Sequence, residues 1–163
     1  MPGRAKRRAF TMKVSQELLK LLSPQTSSDE ERLRIANNEP ADPPLNPSDK
    51  LTAFFVLRYD KVAAVAEAAK KNFEACPAHL VLRALVRKLD PLVIKKAVEL
   101  HRDNEAVLIM AALNPGIDDD TIKLLAETGP EGLLEVLAGE KEMLIKRPFI
   151  AEAIKKNPLA SHT

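Results

Sequence analysis

Few residues in this chain are suited to chemistry: one cysteine, three histidines, a run of three aspartates and several paired lysines. Cys76-Pro77-Ala78-His79 sets a thiol at the expected start of a helix, with an imidazole three positions on. Helix-start amides and a neighbouring base both favour the thiolate, which is the nucleophilic form. A working nucleophile also needs a third group to orient its base, and no carboxylate or carboxamide can be tied to this pair. A small structural or turn residue is the expected role of Cys76. His79, His101 and His162 form no pair at the i, i+4 spacing that would place two ligands on one helix face. Asp118-Asp119-Asp120 gathers three carboxylates but lacks the alternating oxygen ligands of a calcium loop. It stands just ahead of Thr121-Ile122-Lys123-Leu124-Leu125, where carboxylates cap a helix and complement its dipole. No catalytic residue, metal ion or cofactor is expected, so the chain is read as a non-enzyme.

Basic residues give a second chemistry to weigh. Lys70-Lys71, Lys95-Lys96, Lys155-Lys156 and Arg87-Lys88 would suit a phosphate backbone. Glu67, Glu99 and Glu152 interrupt them, and with no Trp and one Tyr there is almost nothing to stack single-stranded bases. Solvated helix faces are the expected outcome. Lysine also suits the last turn of a helix for dipole reasons. A nucleic-acid backbone binder using the basic N-terminal arm and the lysine faces is kept as the alternative function.

The elements that position these residues are helices. Ala, Leu, Lys and Glu are abundant and aromatics are 4% of the chain, which disfavours a sheet. At 163 residues the length fits one domain. Residues 1–12 are expected to be a disordered basic arm, or an extension ahead of a natural start at Met12, and 13–163 a single helical-repeat domain. The net charge is +2; Arg4, Lys6, Arg7, Arg8 and Lys13 supply five positive charges, so the remainder carries −3. One cysteine excludes an internal disulfide framework. Together with the lack of a secretory apolar core near the start, this makes the cytoplasm the expected location. No run approaches the roughly 20 apolar residues of a membrane span, so no membrane association is expected.

Ser15 reads as the cap of a helix over 16–22, and Ser28-Asp29-Glu30-Glu31 as a capping box. The proline-rich 38–46 follows as an extended loop. A cap-type or small residue followed by proline at the first helical position then recurs at Asn46-Pro47, Cys76-Pro77, Asp90-Pro91, Gly129-Pro130 and Arg147-Pro148. The spacing predicts helices near 47–59, 62–72, 77–88, 91–102, 105–113, 119–128, 130–138 and 147–156.

Three of these resemble one another. Ala66-Glu67-Ala68-Ala69-Lys70-Lys71-Asn72 and Ala151-Glu152-Ala153-Ile154-Lys155-Lys156-Asn157 differ at one position, and the apolar run Glu105 to Leu113 ends at Asn114. The asparagines recur at intervals of 42 and 43 residues, a period typical of stacked helical repeats. Met110 to Ala126, with Asn114, Pro115, Leu124, Leu125 and Ala126, resembles the leucine-rich repeat variant and, more broadly, the HEAT and armadillo class. Asn157-Pro158 matches the start of that pattern, and Asn72 matches it without the proline. The resemblance implies an all-α, short right-handed α-solenoid with a period of about 42, whose ridge serves protein partners. The cluster-binding cysteines known near one such array are absent, so no iron–sulfur role carries over.

The central apolar run is expected to be covered on nearly every side, with Val107, Ile109, Met110, Leu113, Ile122, Leu125 and Leu134 in one core. The expected function is a scaffold or adaptor module binding a protein partner or an attached domain. Tyr and Arg are enriched at binding hot spots, which directs attention to Arg58, Tyr59, Lys96, Glu99 and Arg102. The array stops in mid-repeat after Asn157-Pro158. Phe149, Ile150 and Ile154 are therefore expected to form an oligomer or capping surface, through which a homodimer would close the end.

Overall fold

The computed structural model describes residues 14–160, so the arm over 1–12 and His162 lie outside the described residues. Every regular element among those residues is an α-helix. The chain divides into two compact units, one ending at Ala84 and the other beginning at Leu85, and each is taken in turn.

The first unit holds α1 (Gln16–Leu22), α2 (Asp29–Ala36), α3 (Pro47–Leu57), α4 (Ala63–Glu74) and α5 (Ala78–Ala84). Local chemistry sets their starts. Ser15 Oγ accepts from the Leu18 amide at 3.2 Å. Ser28 and Glu31 exchange both bonds of a capping box, and Asn46 Oδ1 accepts from Asp49 N at 2.9 Å ahead of Pro47. Each of these satisfies amides that a helix start leaves without a partner. Leu18, Leu22, Ala36, Ala53, Leu57, Val65 and Ala69 close together as a core, with α2 on α4 and α3 on α5. Within it lies Arg32, 2% exposed, bonded to Asp60 at 2.8 Å, Asp29 at 2.6 Å and the Ser27 carbonyl at 2.8 Å. The hydrogen bond to Asp60 is the main reason its pKa is raised. The cation therefore ties α2 to the turn between α3 and α4.

The second unit holds α6 (Pro91–Leu100), α7 (Glu105–Leu113), α8 (Asp119–Thr128), α9 (Glu131–Gly139), α10 (Lys141–Lys146) and α11 (Phe149–Lys156). Asp90, Asn104 and Asp118 cap α6, α7 and α8, accepting from Leu92, Val107 and Thr121 amides at 2.9, 3.1 and 2.8 Å. Here α7 packs on α9 and α8 on α11. The first helix of each pair thus meets a helix two or three places further along, as α2 and α3 do in the first unit.

Asn72, Asn114 and Asn157 each reach upstream, Asn114 and Asn157 from the C-cap of α7 and α11 and Asn72 from within α4. Each donates its side-chain amide to backbone carbonyls 27 to 36 residues upstream. Asn72 Nδ2 reaches Ala36 O at 2.6 Å, at the end of α2. Asn114 Nδ2 reaches Leu85 O at 3.0 Å and Arg87 O at 2.8 Å. Asn157 Nδ2 reaches Ala126 O and Gly129 O, both at 3.0 Å, around the end of α8. The last carbonyls of a helix have no partner within it, and Asn72 and Asn157 supply one at Ala36 and Ala126, while Leu85, Arg87 and Gly129 stand just past a helix end. Asn114 also turns its Oδ1 to Gly116 N at 2.9 Å and Leu89 N at 3.3 Å. A Cβ on Gly116 would overlap the Leu89 carbonyl, which is why glycine follows Asn114-Pro115.

Three expectations need correction. The helix predicted over 77–88 ends at Ala84; the carbonyls of Leu85 and Arg87 are taken by Asn114 instead of by a further helical turn. Helix α10 was not predicted; its apolar residues Met143, Leu144 and Ile145 are consecutive rather than spaced along one face, and none of its residues is fully buried. The third concerns the central run, which is not covered on all sides. Its buried residues are Val107, Leu108, Ala111 and Ala112, whereas Ile109 and Met110 are half-buried and Leu113 is 38% exposed. Its neighbours α6, α8 and α9 cover one broad face and leave Leu113 outside. Val107, Ile122, Leu125 and Leu134 do belong to the core.

Candidate functional site

Arg58 and Tyr59 follow directly on α3, in the first unit. The sequence that positions them is Phe55-Val56-Leu57-Arg58-Tyr59: Phe55 and Leu57 are buried, while Tyr59 is 65% exposed. Phe55 and Phe73, the latter from α4, lie 5.9 Å apart between ring centroids. The Arg58 guanidinium stands over both, 5.7 Å from the Phe55 ring and 5.6 Å from the Phe73 ring. Tyr59 meets Phe55 edge-on at 5.8 Å. The aromatic faces hold the cation electrostatically and fix its planar head. Its Nε is buried without a hydrogen-bond partner among the described residues. The result is a half-buried cation beside an exposed phenol. A partner carboxylate would find there a charge whose side chain is already ordered.

Lys96, Glu99 and Arg102 lie in the second unit. Lys96 Nζ and Glu99 Oε2 pair at 3.3 Å along the exposed side of α6, and Arg102 is exposed just past its end. A solvated i, i+3 pair of this kind contributes little to stability. Phe149 and Ile154 of α11 are half-buried, but Ile150 is fully buried. The surface expected at Phe149, Ile150 and Ile154 is therefore reduced to its first and last members. Arg147 fastens this end, with Nη2 donating to Ile117 O at 3.0 Å and Nε 3.1 Å from Asp119.

Cys76 is half-buried and His79 exposed, and no bond joins them; Sγ lies 4.0 Å from the Pro77 carbonyl. Burial pushes the thiol pKa up, and Lys50 offsets this only in part. That is the reverse of what an activated cysteine needs. Asp118 caps α8, and among the described residues no three His, Cys, Asp or Glu side chains gather as metal ligands. The lysine faces are interleaved with acids. Lys70 and Lys71 share a shallow groove with Glu67 and Glu74, and Lys155 pairs with Glu152 at 3.3 Å.

Sequence reasoning missed the two phenylalanines beneath Arg58 and the buried Arg32–Asp60 pair. Phe55 and Phe73 sit on apolar stripes, so burial was legible, but an arginine lying across them from another position was not. No described helix is long and apolar enough to cross a membrane. Comparisons with protein-family models, curated proteins and solved structures give no match.

Proposed function

We propose that this chain is a non-enzymatic helical-repeat module, a short right-handed α-solenoid of HEAT, armadillo or leucine-rich-repeat-variant type. It acts as a scaffold or adaptor that binds a protein partner or an attached domain. The observation that carries the repeat reading is the upstream reach of Asn72, Asn114 and Asn157. Three side chains spaced by about one period each close carbonyls some thirty residues upstream. One residue type recurring at that spacing with a bond to an upstream carbonyl supports a stack of repeated units. The pairings of α2 with α4, α3 with α5, α7 with α9 and α8 with α11 support the same reading.

For the binding surface, support comes from Arg58 and Tyr59: an ordered cation over two rings with an exposed phenol beside it. Arg and Tyr are the residue types that most often dominate interface energetics. Phe149 and Ile154 offer a second, smaller surface through which two copies would pair. Cytoplasmic residence is part of the proposal and rests on the one free thiol. The test is capture of partners on the full chain, washed over a series of salt concentrations. Proteins held through Arg58 and Tyr59 are expected to survive moderate salt after nuclease treatment. Capture that needs nucleic acid and collapses steeply with salt would favour phosphate binding instead.

A further inference from the structure

The turn that follows α3 carries a cation that no acid among the described residues answers. Arg58 is held over the Phe55 and Phe73 rings at 5.7 and 5.6 Å, yet it enters no ion pair among those residues. Its Nε is enclosed without an acceptor, and the two terminal nitrogens are not enclosed with it. Asp60, two positions on, is already engaged. Its oxygens accept from Arg32 Nε at 2.8 Å and Val62 N at 2.9 Å, and its side chain is 2% exposed. Tyr59 is 65% exposed, and Lys61 is exposed and adds a second positive charge. The outward side of Arg58-Tyr59-Asp60-Lys61 is therefore cationic, with one aromatic ring.

A guanidinium taken partly out of water without a counter-charge is destabilising, and the ring faces offset only part of that. A partner's carboxylate would complete the offset, in a charge-assisted bond whose geometry the planar head already fixes. A pair in this half-buried setting is also screened less by salt than one in open solvent. A phosphate backbone carries a charge at every unit and is matched by a row of cations. Here one cation is ordered, and the lysine faces elsewhere are interleaved with acids. We propose, on the partner-binding reading above, that the Arg58–Tyr59 surface binds an acidic peptide segment. An Asp or Glu carboxylate lies on the Arg58 terminal nitrogens, and an adjacent apolar side chain on the Tyr59 ring.

The test selects a random-sequence peptide library, displayed on phage, against the full-length protein and titrates the enriched peptides with a fluorescent tag. Peptides with Asp or Glu beside a bulky apolar residue are expected, and Arg58→Gln or Tyr59→Ala should raise their Kd roughly tenfold or more. Should Arg58→Gln fail to fold, replacing the peptide's own Asp or Glu with Asn or Gln still decides on wild-type protein, with the same loss expected. Enriched peptides that need Tyr59 but carry no acid overturn the acidic assignment and leave the partner surface standing. Peptides indifferent to both residues, or no enrichment at all, overturn both. A single-stranded oligothymidylate that displaces the tagged peptide with a steep salt dependence assigns the surface to phosphate, and that also overturns the proposal.

Discussion

Replacing Asn114 tests how the second unit is held together. Its side chain is 3% exposed and makes four hydrogen bonds: to the carbonyls of Leu85 and Arg87, and from the amides of Gly116 and Leu89. Three of these lie in buried surroundings; Arg87 is exposed, and water can reach its carbonyl. At ~1 kcal/mol for each buried bond lost, Asn114→Ala should cost about 3 kcal/mol. That is a large fraction of the roughly 5–15 kcal/mol that holds an ordinary domain. Asn114→Asp should cost at least as much. It keeps both acceptor contacts but turns a carboxylate oxygen toward two carbonyl oxygens and buries the charge. Asn104→Ala is the calibration, since that residue makes one capping bond, to Val107 N, and its loss should cost about 1 kcal/mol. The assay is urea unfolding followed by far-UV circular dichroism. A loss below 1 kcal/mol for Asn114→Ala, or an aspartate variant more stable than the alanine one, would refute the bracket described for this side chain.

Other perturbations follow from the same geometry. Val107→Asp buries a charge at a fully enclosed site and should unfold the second unit, while Leu113→Asp, at a site 38% exposed, should cost distinctly less and leave it folded; thermal melts compare the two. Asp60→Asn strips the main partner from the buried Arg32 cation and should cost roughly 3–5 kcal/mol, measured by the same unfolding curves. Burial lowers the His101 pKa from its ordinary 6.5, so the unfolded chain binds the proton more readily than the folded one. Stability should therefore fall as pH drops through 6.5 and level off below the lowered folded value. His101→Gln should flatten that step in a pH series of melting temperatures.

Much of the helical order could be read from local chemistry. Asn46-Pro47 and Asp90-Pro91 start α3 and α6 at the expected residue, because a cap and a proline act on their own neighbours. Asn114 announced a helix stop and marked the repeat, yet its partners lie 25 to 29 residues upstream and could not be named. The run from Glu105 to Leu113 is apolar on every side, so hydropathy could not choose the face left open at Leu113; packing against α6, α8 and α9 makes that choice. Nothing beside Arg32 in the sequence marks it as buried. Its burial depends on Asp60, 28 residues further on. At the candidate surface, the sequence pointed to Arg58 and Tyr59 by residue type. It did not disclose the ring pair of Phe55 and Phe73 that orders the arginine, since α3 and α4 had first to be packed.

The most direct measurement is the affinity of a captured, purified partner for wild type and for Tyr59→Ala, with Lys155→Ala as a surface control. Truncating a hot-spot tyrosine costs at least ~2 kcal/mol, or about thirtyfold in Kd. The Tyr59→Ala protein is expected to melt within a degree or two of wild type, since the ring is mostly exposed. Binding should weaken by that factor or more while Lys155→Ala binds normally. Equal affinities for all three proteins would contradict the assignment of the partner surface to Arg58 and Tyr59.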